Sequence, residues 1–337
     1  SFTSQTGVAY HLDRFEVSGY NMGDGVYRVD QSTDVPAGQG FVYSNKISCT
    51  TADTSQDANN QFYFQTQLEG TATSLLNYFV ASPDTITLAF WVRSNRTGTH
   101  SLALKLSDNG SVENNTATRV YNKLYTISSA NTWEKIVCAI PLDSSTSETK
   151  VTGTGFAVAV QFWMGAGTNR DGAAAESWID NGNATTASAN EDMLASTSND
   201  WYITGLQMEV GDFDVNSIAP FQHESFGDSF ARCQRYFQKY TQPPLIGSAN
   251  ANNSVARASI GLFPVQMRTA PTASQSGTFS WFYSNSHQPT STALAASYTD
   301  VDGAEFDITV SGTGMTATHP CSVVQSGSGY LSFSAEI

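Results

Sequence analysis

Residues 85–93 alternate without a break. Ile86, Leu88, Phe90 and Val92 fall on one face, and Thr85, Thr87, Ala89, Trp91 and Arg93 on the other. Residues 155–164 repeat the pattern, with Phe156, Val158, Val160, Phe162 and Met164 set against Ala157, Ala159, Gln161 and Trp163. A period of two over this length does not fit a helix and marks strands with one buried face. Further strands are expected at 12–17, 41–49, 62–68, 101–106, 120–127, 133–140 and 201–210, separated by turn clusters such as Asp108-Asn109-Gly110 and Asn181-Gly182-Asn183. About nine strands at this spacing predict a two-sheet antiparallel sandwich, a jelly roll. Residues 165–200 read as a long Ala-, Ser-, Asn- and Thr-rich loop, of a length that suits a functional or interface lid.

The alternation stops after Trp201-Tyr-Ile-Thr-Gly-Leu-Gln-Met-Glu-Val-Gly211, and a helix is expected over 225–240. Phe226, Phe230, Cys233 and Phe237 make one apolar stripe. Glu224 and Asp228 lie near its start, and Arg232, Arg235 and Lys239 near its end, as the helix dipole favours. Pro243 and Pro244 forbid continuation. Phe226, Phe230 and Phe237 are expected to pin this helix to a sandwich or to an oligomer partner. Strand patterns return at 255–265, 277–284, 293–299, 304–311, 321–325 and 330–337. The expected chain is all-β: an antiparallel jelly-roll sandwich over 1–215, a connecting segment with a short helix over 216–242, and a smaller C-terminal β-sandwich domain over 243–337.

Composition narrows the function. Charged residues are 14% of the chain against a typical ~25%, and Ser, Thr, Asn, Gln and Gly replace them. The net charge of −14 repels phosphate backbones, so nucleic acid is not an expected partner. Aromatic residues at 12% are too many for a disordered chain. No apolar run approaches the ~18 residues of a membrane-spanning helix, so no membrane insertion is expected. Cys49, Cys138, Cys233 and Cys321 lack metal-like spacing and read as mostly buried thiols, with one bridge left open. Ser1 does not resemble a natural start, and a preceding segment is expected.

Catalysis is not expected. Glu16, Asp24, Asp30, Glu134 and Glu209 lie in or beside strands, but no spacing makes the flanking pair that glycoside hydrolysis needs. There is no Gly-x-Ser-x-Gly elbow and no phosphate-cradling loop. His11, His100, His223, His287 and His319 are scattered. Asp300-Val-Asp302-Gly303 looks like half an ion loop but reads better as a hairpin turn. Trp91 and Trp163 are more informative. Both lie opposite the apolar stripe of their strands, where an aromatic ring offers a flat surface to a pyranose or a partner protein, with Gln161 and Arg93 as hydrogen-bonding neighbours. Packing beneath the long loop is the alternative reading for both.

Several blocks in order carry a resemblance: Tyr10-His-Leu-Asp-Arg-Phe15, Asp34-Val-Pro-Ala-Gly-Gln-Gly40, Leu88-Ala-Phe-Trp-Val-Arg-Ser94, Tyr125-Thr-Ile-Ser-Ser-Ala-Asn-Thr-Trp-Glu-Lys135, Phe162-Trp-Met-Gly-Ala-Gly167, Ile203-Thr-Gly-Leu-Gln-Met-Glu-Val-Gly211 and Cys233-Gln-Arg-Tyr-Phe237. They are similar to bacteriophage tail-fibre and virion appendage proteins, especially marine ones. The C-terminal domain is the part least covered. The resemblance implies a non-enzymatic virion-surface, extracellular protein with a carbohydrate-binding-module-like jelly roll for host attachment. It also implies a homotrimer, with other virion proteins and a host surface glycan as partners. It implies no cofactor beyond a structural calcium, for which Asp13 and Glu209 are the donors. A capsid-decorating or head-fibre protein, and a carbohydrate-binding module of a secreted enzyme, are the alternatives.

Overall fold

The computed structural model describes residues 2–4, 7–12, 14–111, 117–180, 186, 191–241, 245–249, 255–283, 286–291, 294–309 and 320–337. The chain forms two compact units, one of Ser1–His223 with Ile337 and one of Glu224–Glu336. The larger unit carries β1 (Phe2–Ser4), β2 (Gly7–Leu12), β3 (Phe15–Tyr20), β4 (Val26–Ser32), β5 (Ser44–Thr51), β6 (Gln61–Glu69), β7 (Thr85–Ser94), β8 (Gly98–Ser107), β9 (Ala117–Ile127), β10 (Glu134–Pro141), β11 (Phe156–Ala166), β12 (Trp178–Asp180) and β13 (Asp200–Val210). The first sheet has six strands in the order β1-β4-β5-β13-β7-β10, and the second has seven in the order β12-β9-β8-β11-β6-β3-β2. Neighbours pair antiparallel. This is the all-β jelly-roll sandwich that the alternation predicts.

The inward residues are those the pattern assigns. Ile86, Leu88, Phe90 and Val92 of β7 meet Leu102, Leu104 and Leu106 of β8 and Val158, Val160, Phe162 and Met164 of β11 in one buried core. Phe90 meets Phe162 at 4.9 Å and Tyr125 at 5.3 Å, both edge-on. Full burial of each such side chain stabilises the fold by about 1.5–3 kcal/mol. Phe156 departs from the expected stripe. A register shift between Phe156 and Val158 breaks the alternation, and Phe156 packs against Ala159 outside the main core. The expected loop 165–200 also carries structure. β12 extends the second sheet by pairing with β9, and a 3₁₀ turn at Met193–Ala195 buries Met193 and Leu194 in the core.

The smaller unit carries α1 (Phe226–Gln234), β14 (Phe237–Tyr240), β15 (Leu245–Ala249), β16 (Val255–Ile260), β17 (Thr272–Tyr283), β18 (Ser286–Ser291), β19 (Leu294–Asp300), β20 (Gly303–Thr309) and β21 (Pro320–Ser334). These eight strands join one sheet, ordered β18-β17-β21-β15-β16-β20-β19, with β14 also on β21. Phe279, Phe306, Phe333, Leu331, Leu245 and Ile260 form its core. The two strands expected at 321–325 and 330–337 are one, β21.

The helix is shorter than expected. Ser225 caps it, its Oγ accepting a hydrogen bond from Asp228 N at 3.2 Å. It ends at Gln234 because Phe237–Tyr240 pairs with Ser334–Leu331 on β21, and sheet hydrogen bonds outweigh helix propensity there. Phe237 therefore sits on a strand, not on the helix stripe. Phe226 and Phe230 stack at 5.7 Å but are 83% and 50% exposed, and α1 has no buried residue. Among the described residues, both rings lie outside the buried core of the smaller unit.

Candidate functional site

β7 turns Trp91 and Arg93 away from the core, because Phe90 and Val92 point into it. In register, Trp91 lies beside Lys135 of β10 and Thr204 of β13. Arg93 is already engaged. Its guanidinium lies 4.7 Å from the Tyr202 ring centre, its Nε donates to Asn131 O at 3.1 Å, and it pairs with Asp34 at 3.4 Å. Trp133 Nε1 donates to Asp34 Oδ1 at 2.8 Å. Arg93 thus fastens the loop at Asp34 and the turn at Asn131 to the sheet.

Trp91 opens into a cavity of about 410 Å³, shared with Phe41, Phe221, His223, Gln39, Gln207 and Lys135. A bulge in β13 shapes it. The register with β7 shifts between Thr204 and Gln207, where Gly205 takes φ +64°. A Cβ on Gly205 would lie 2.4 Å from Phe41 Cζ, so only glycine lets Phe41 close this wall. Phe41, Phe221 and His223 pack mutually, with ring centres 5.0–5.1 Å apart. His223 Nε2 donates to Gln39 O at 3.1 Å, which fixes the ring over the loop. Gln207 Nε2 bonds Glu209 Oε1 at 2.9 Å and Ala219 O at 3.2 Å. Among the described residues lining the cavity there is no carboxylate. An aromatic surface rimmed by amides, an imidazole and an ammonium can stack and hydrogen-bond a neutral polar ligand.

Trp163 and Gln161 are elsewhere. They lie on the outer face of β11 in the second sheet, 1% and 0% exposed. Trp163 packs on Tyr63 at 4.9 Å, with Ala103 and Val120. Gln161 Nε2 donates to Gln65 Oε1 at 2.6 Å, Gln65 donates to Glu16, and Gln67 Nε2 reaches Glu16 Oε1 at 3.2 Å. Of the four expected contact residues, Trp91 lines the cavity, Arg93 is engaged beside it, and Trp163 and Gln161 are buried on the other sheet. Period two tells which face a residue takes, not which sheet its strand joins. Phe41, Phe221, His223 and Gly205 were not picked out from the sequence. Gly205 interrupting an alternating strand was the one local signal for the bulge.

Of the expected calcium donors, Asp13 lies outside the described residues, and Glu209 already accepts the Gln207 amide. Among the described residues no three His, Cys, Asp or Glu side chains converge on a metal position. Asp300 faces Gly303 across the β19–β20 hairpin, so that motif is a turn. Cys49 and Cys138 are buried free thiols, pushed up to about 11 by desolvation, which suits packing and not reactivity. Cys233 Sγ donates to Ser229 O at 3.0 Å, and the Cys321 side chain lies outside the described residues. Among the described residues no helix is long and apolar enough to cross a membrane.

No family model matches the chain. No curated protein matches its sequence. Among solved structures it is similar to the family 11 carbohydrate-binding module of a cellulosomal cellulase from Clostridium thermocellum, at 9% identity over 63% of this chain and 98% of that one, TM-score 0.32. It is similar to the CBM22-1 xylan-binding domain of Paenibacillus barcinonensis Xyn10C, at 8% identity over 59% of this chain and 87% of that one, TM-score 0.28. It is also similar to the enzymatically active domain of bacteriophage CBA120 tailspike protein 4, at 11% identity over 58% of this chain, TM-score 0.33. The match spans 19% of that tailspike domain's length. The fold itself is shown by the strand order and pairing of the two sheets.

Proposed function

We propose that the larger unit binds carbohydrate in the Trp91 cavity, and that the chain is a non-enzymatic bacteriophage appendage protein, a tail fibre, displaying this module for host-surface attachment. The observation that carries the binding reading is the cavity itself. Its volume of about 410 Å³ falls in the ~300–1,000 Å³ range of small-ligand sites, and Trp91 with the Phe41–Phe221–His223 wall offers the flat apolar surfaces that sugar rings stack on. The lack of a lining carboxylate among the described residues favours holding a glycan over cleaving it. The resemblance of the sequence blocks to those of appendage proteins motivates the virion setting. A homotrimer would raise avidity from weak single sites, with effective concentrations on the order of millimolar.

A glycan array on the whole chain, followed by calorimetry on the best glycan, tests this reading. Trp91→Ala is expected to weaken binding at least about tenfold, the loss of one stacked ring. Trp163→Phe, on the buried face, is expected to leave Kd unchanged. No glycan bound by the wild type, or equal binding by Trp91→Ala, ends the proposal, and turnover of the bound glycan ends its non-enzymatic part. A second reading, attachment to a capsid shell, draws on the exposed Phe226–Phe230 pair, and tight binding to purified shells without glycan binding would favour it.

A further inference from the structure

Four segments meet at the end of the larger sandwich where β3, β5 and β11 finish: the turn after β3, the loop between β5 and β6, the end of β11, and the 3₁₀ turn before β13. Asn60, in the second of these, is 1% exposed. Its Nδ2 donates to Asn21 O at 3.2 Å, which fixes the amide orientation. Its Oδ1 is buried and has no hydrogen-bond partner among the described residues. Asp192 Oδ1 approaches from the 3₁₀ turn, which it caps by accepting from Leu194 N at 2.9 Å. A Cβ on Gly165 would lie 3.3 Å from Asp192 Oδ1 and 3.5 Å from Asn60 Oδ1, so both oxygens face the same glycine. Asp53 is tied to the same turn, its N donating to Leu194 O at 3.0 Å. Asp53 Oδ1 accepts from Ser55 N at 2.9 Å, while Oδ2 is buried without a partner among the described residues.

We propose that Asp53, Asp192 and Asn60 hold a divalent cation of the calcium type at this junction. Buried acceptors without donors are costly, and buried like charges more so. The nearby cation, Arg96, is drawn to Glu191 at 2.5 Å. One ion would supply both the missing positive charge and the missing partner for Asn60. Calcium suits the set because it takes carboxylate, amide and backbone oxygens with water in loose geometry, whereas magnesium demands a strict octahedron. This position uses neither Asp13 nor Glu209. The ion would tie four loops at one end of the sandwich, away from any part in chemistry.

The test is thermal melting and calorimetry of the whole chain after EDTA treatment, with calcium chloride added back and magnesium chloride for comparison. Calcium at about a hundredfold excess over Kd is expected to raise Tm by about 5–10 °C for a unit of this size. Asp192→Asn should lose that shift while its chelated-state Tm stays at or above that of the wild type, since a buried charge has gone. Asn60→Leu should also lose it, because it removes the unpartnered oxygen. No calcium-dependent shift or heat in the wild type, or an undiminished shift in both variants, overturns the proposal.

Discussion

His100 is buried on β8, its ring stacked on Tyr125 at 5.4 Å and its Nε2 3.3 Å from Arg96 O. Desolvation holds its pKa below the ordinary 6.5. The unfolded chain therefore binds a proton before the native one does, and His100 makes stability fall as pH drops below 6.5 until the lowered native pKa is passed. Melting curves from pH 8 to 5 should show a loss in the wild type that is smaller in His100→Gln. Parallel curves would mean that His100 titrates alike in both states. At this same scale the two tryptophans part company. Trp91 and Trp163 carry one sequence signature, outward on an alternating strand, yet one lines a cavity and the other is 1% exposed. Nothing local distinguishes them, because the burial of Trp163 depends on Tyr63, Ala103 and Val120 from other strands.

At the scale of elements, α1 is the piece whose sequence promised most and whose packing delivers least. Its charge order was readable: Asp228 sits in the first turn and Arg232 in the last. Its length was not, because the pairing of β14 with β21 takes over the last expected turn. Phe230→Asp is expected to leave the melting temperature unchanged, since the ring is 50% exposed and holds no core together. In a homotrimer joined through this face, the same variant should lower the mass measured by light scattering. An unchanged mass would remove α1 from the oligomer contact. The bulge at Gly205 makes a similar point, since one inserted residue re-aims the strand and opens the wall that Phe41 fills.

For the whole molecule, the division into Ser1–His223 with Ile337 and Glu224–Glu336 gives each unit its own core. A chain of residues 1–223 is therefore expected to melt cooperatively and to keep the glycan Kd of the whole protein; calorimetry on the fragment checks both, and a molten fragment would make the units interdependent. The sequence by itself determined the all-β class, the positions of most strands and the inward residues of β7 and, Phe156 apart, of β11. It could do so because alternation is a property of each strand's own backbone. Only the tertiary structure decided which strands share a sheet, that β21 is one strand, that Phe156 leaves the core, and that Trp91 meets Phe41, Phe221 and His223. The same holds for the convergence of Asp192 and Asn60 on Gly165. These depend on register, bulges and contacts between residues far apart in the chain, where one shifted pair changes what a side chain meets.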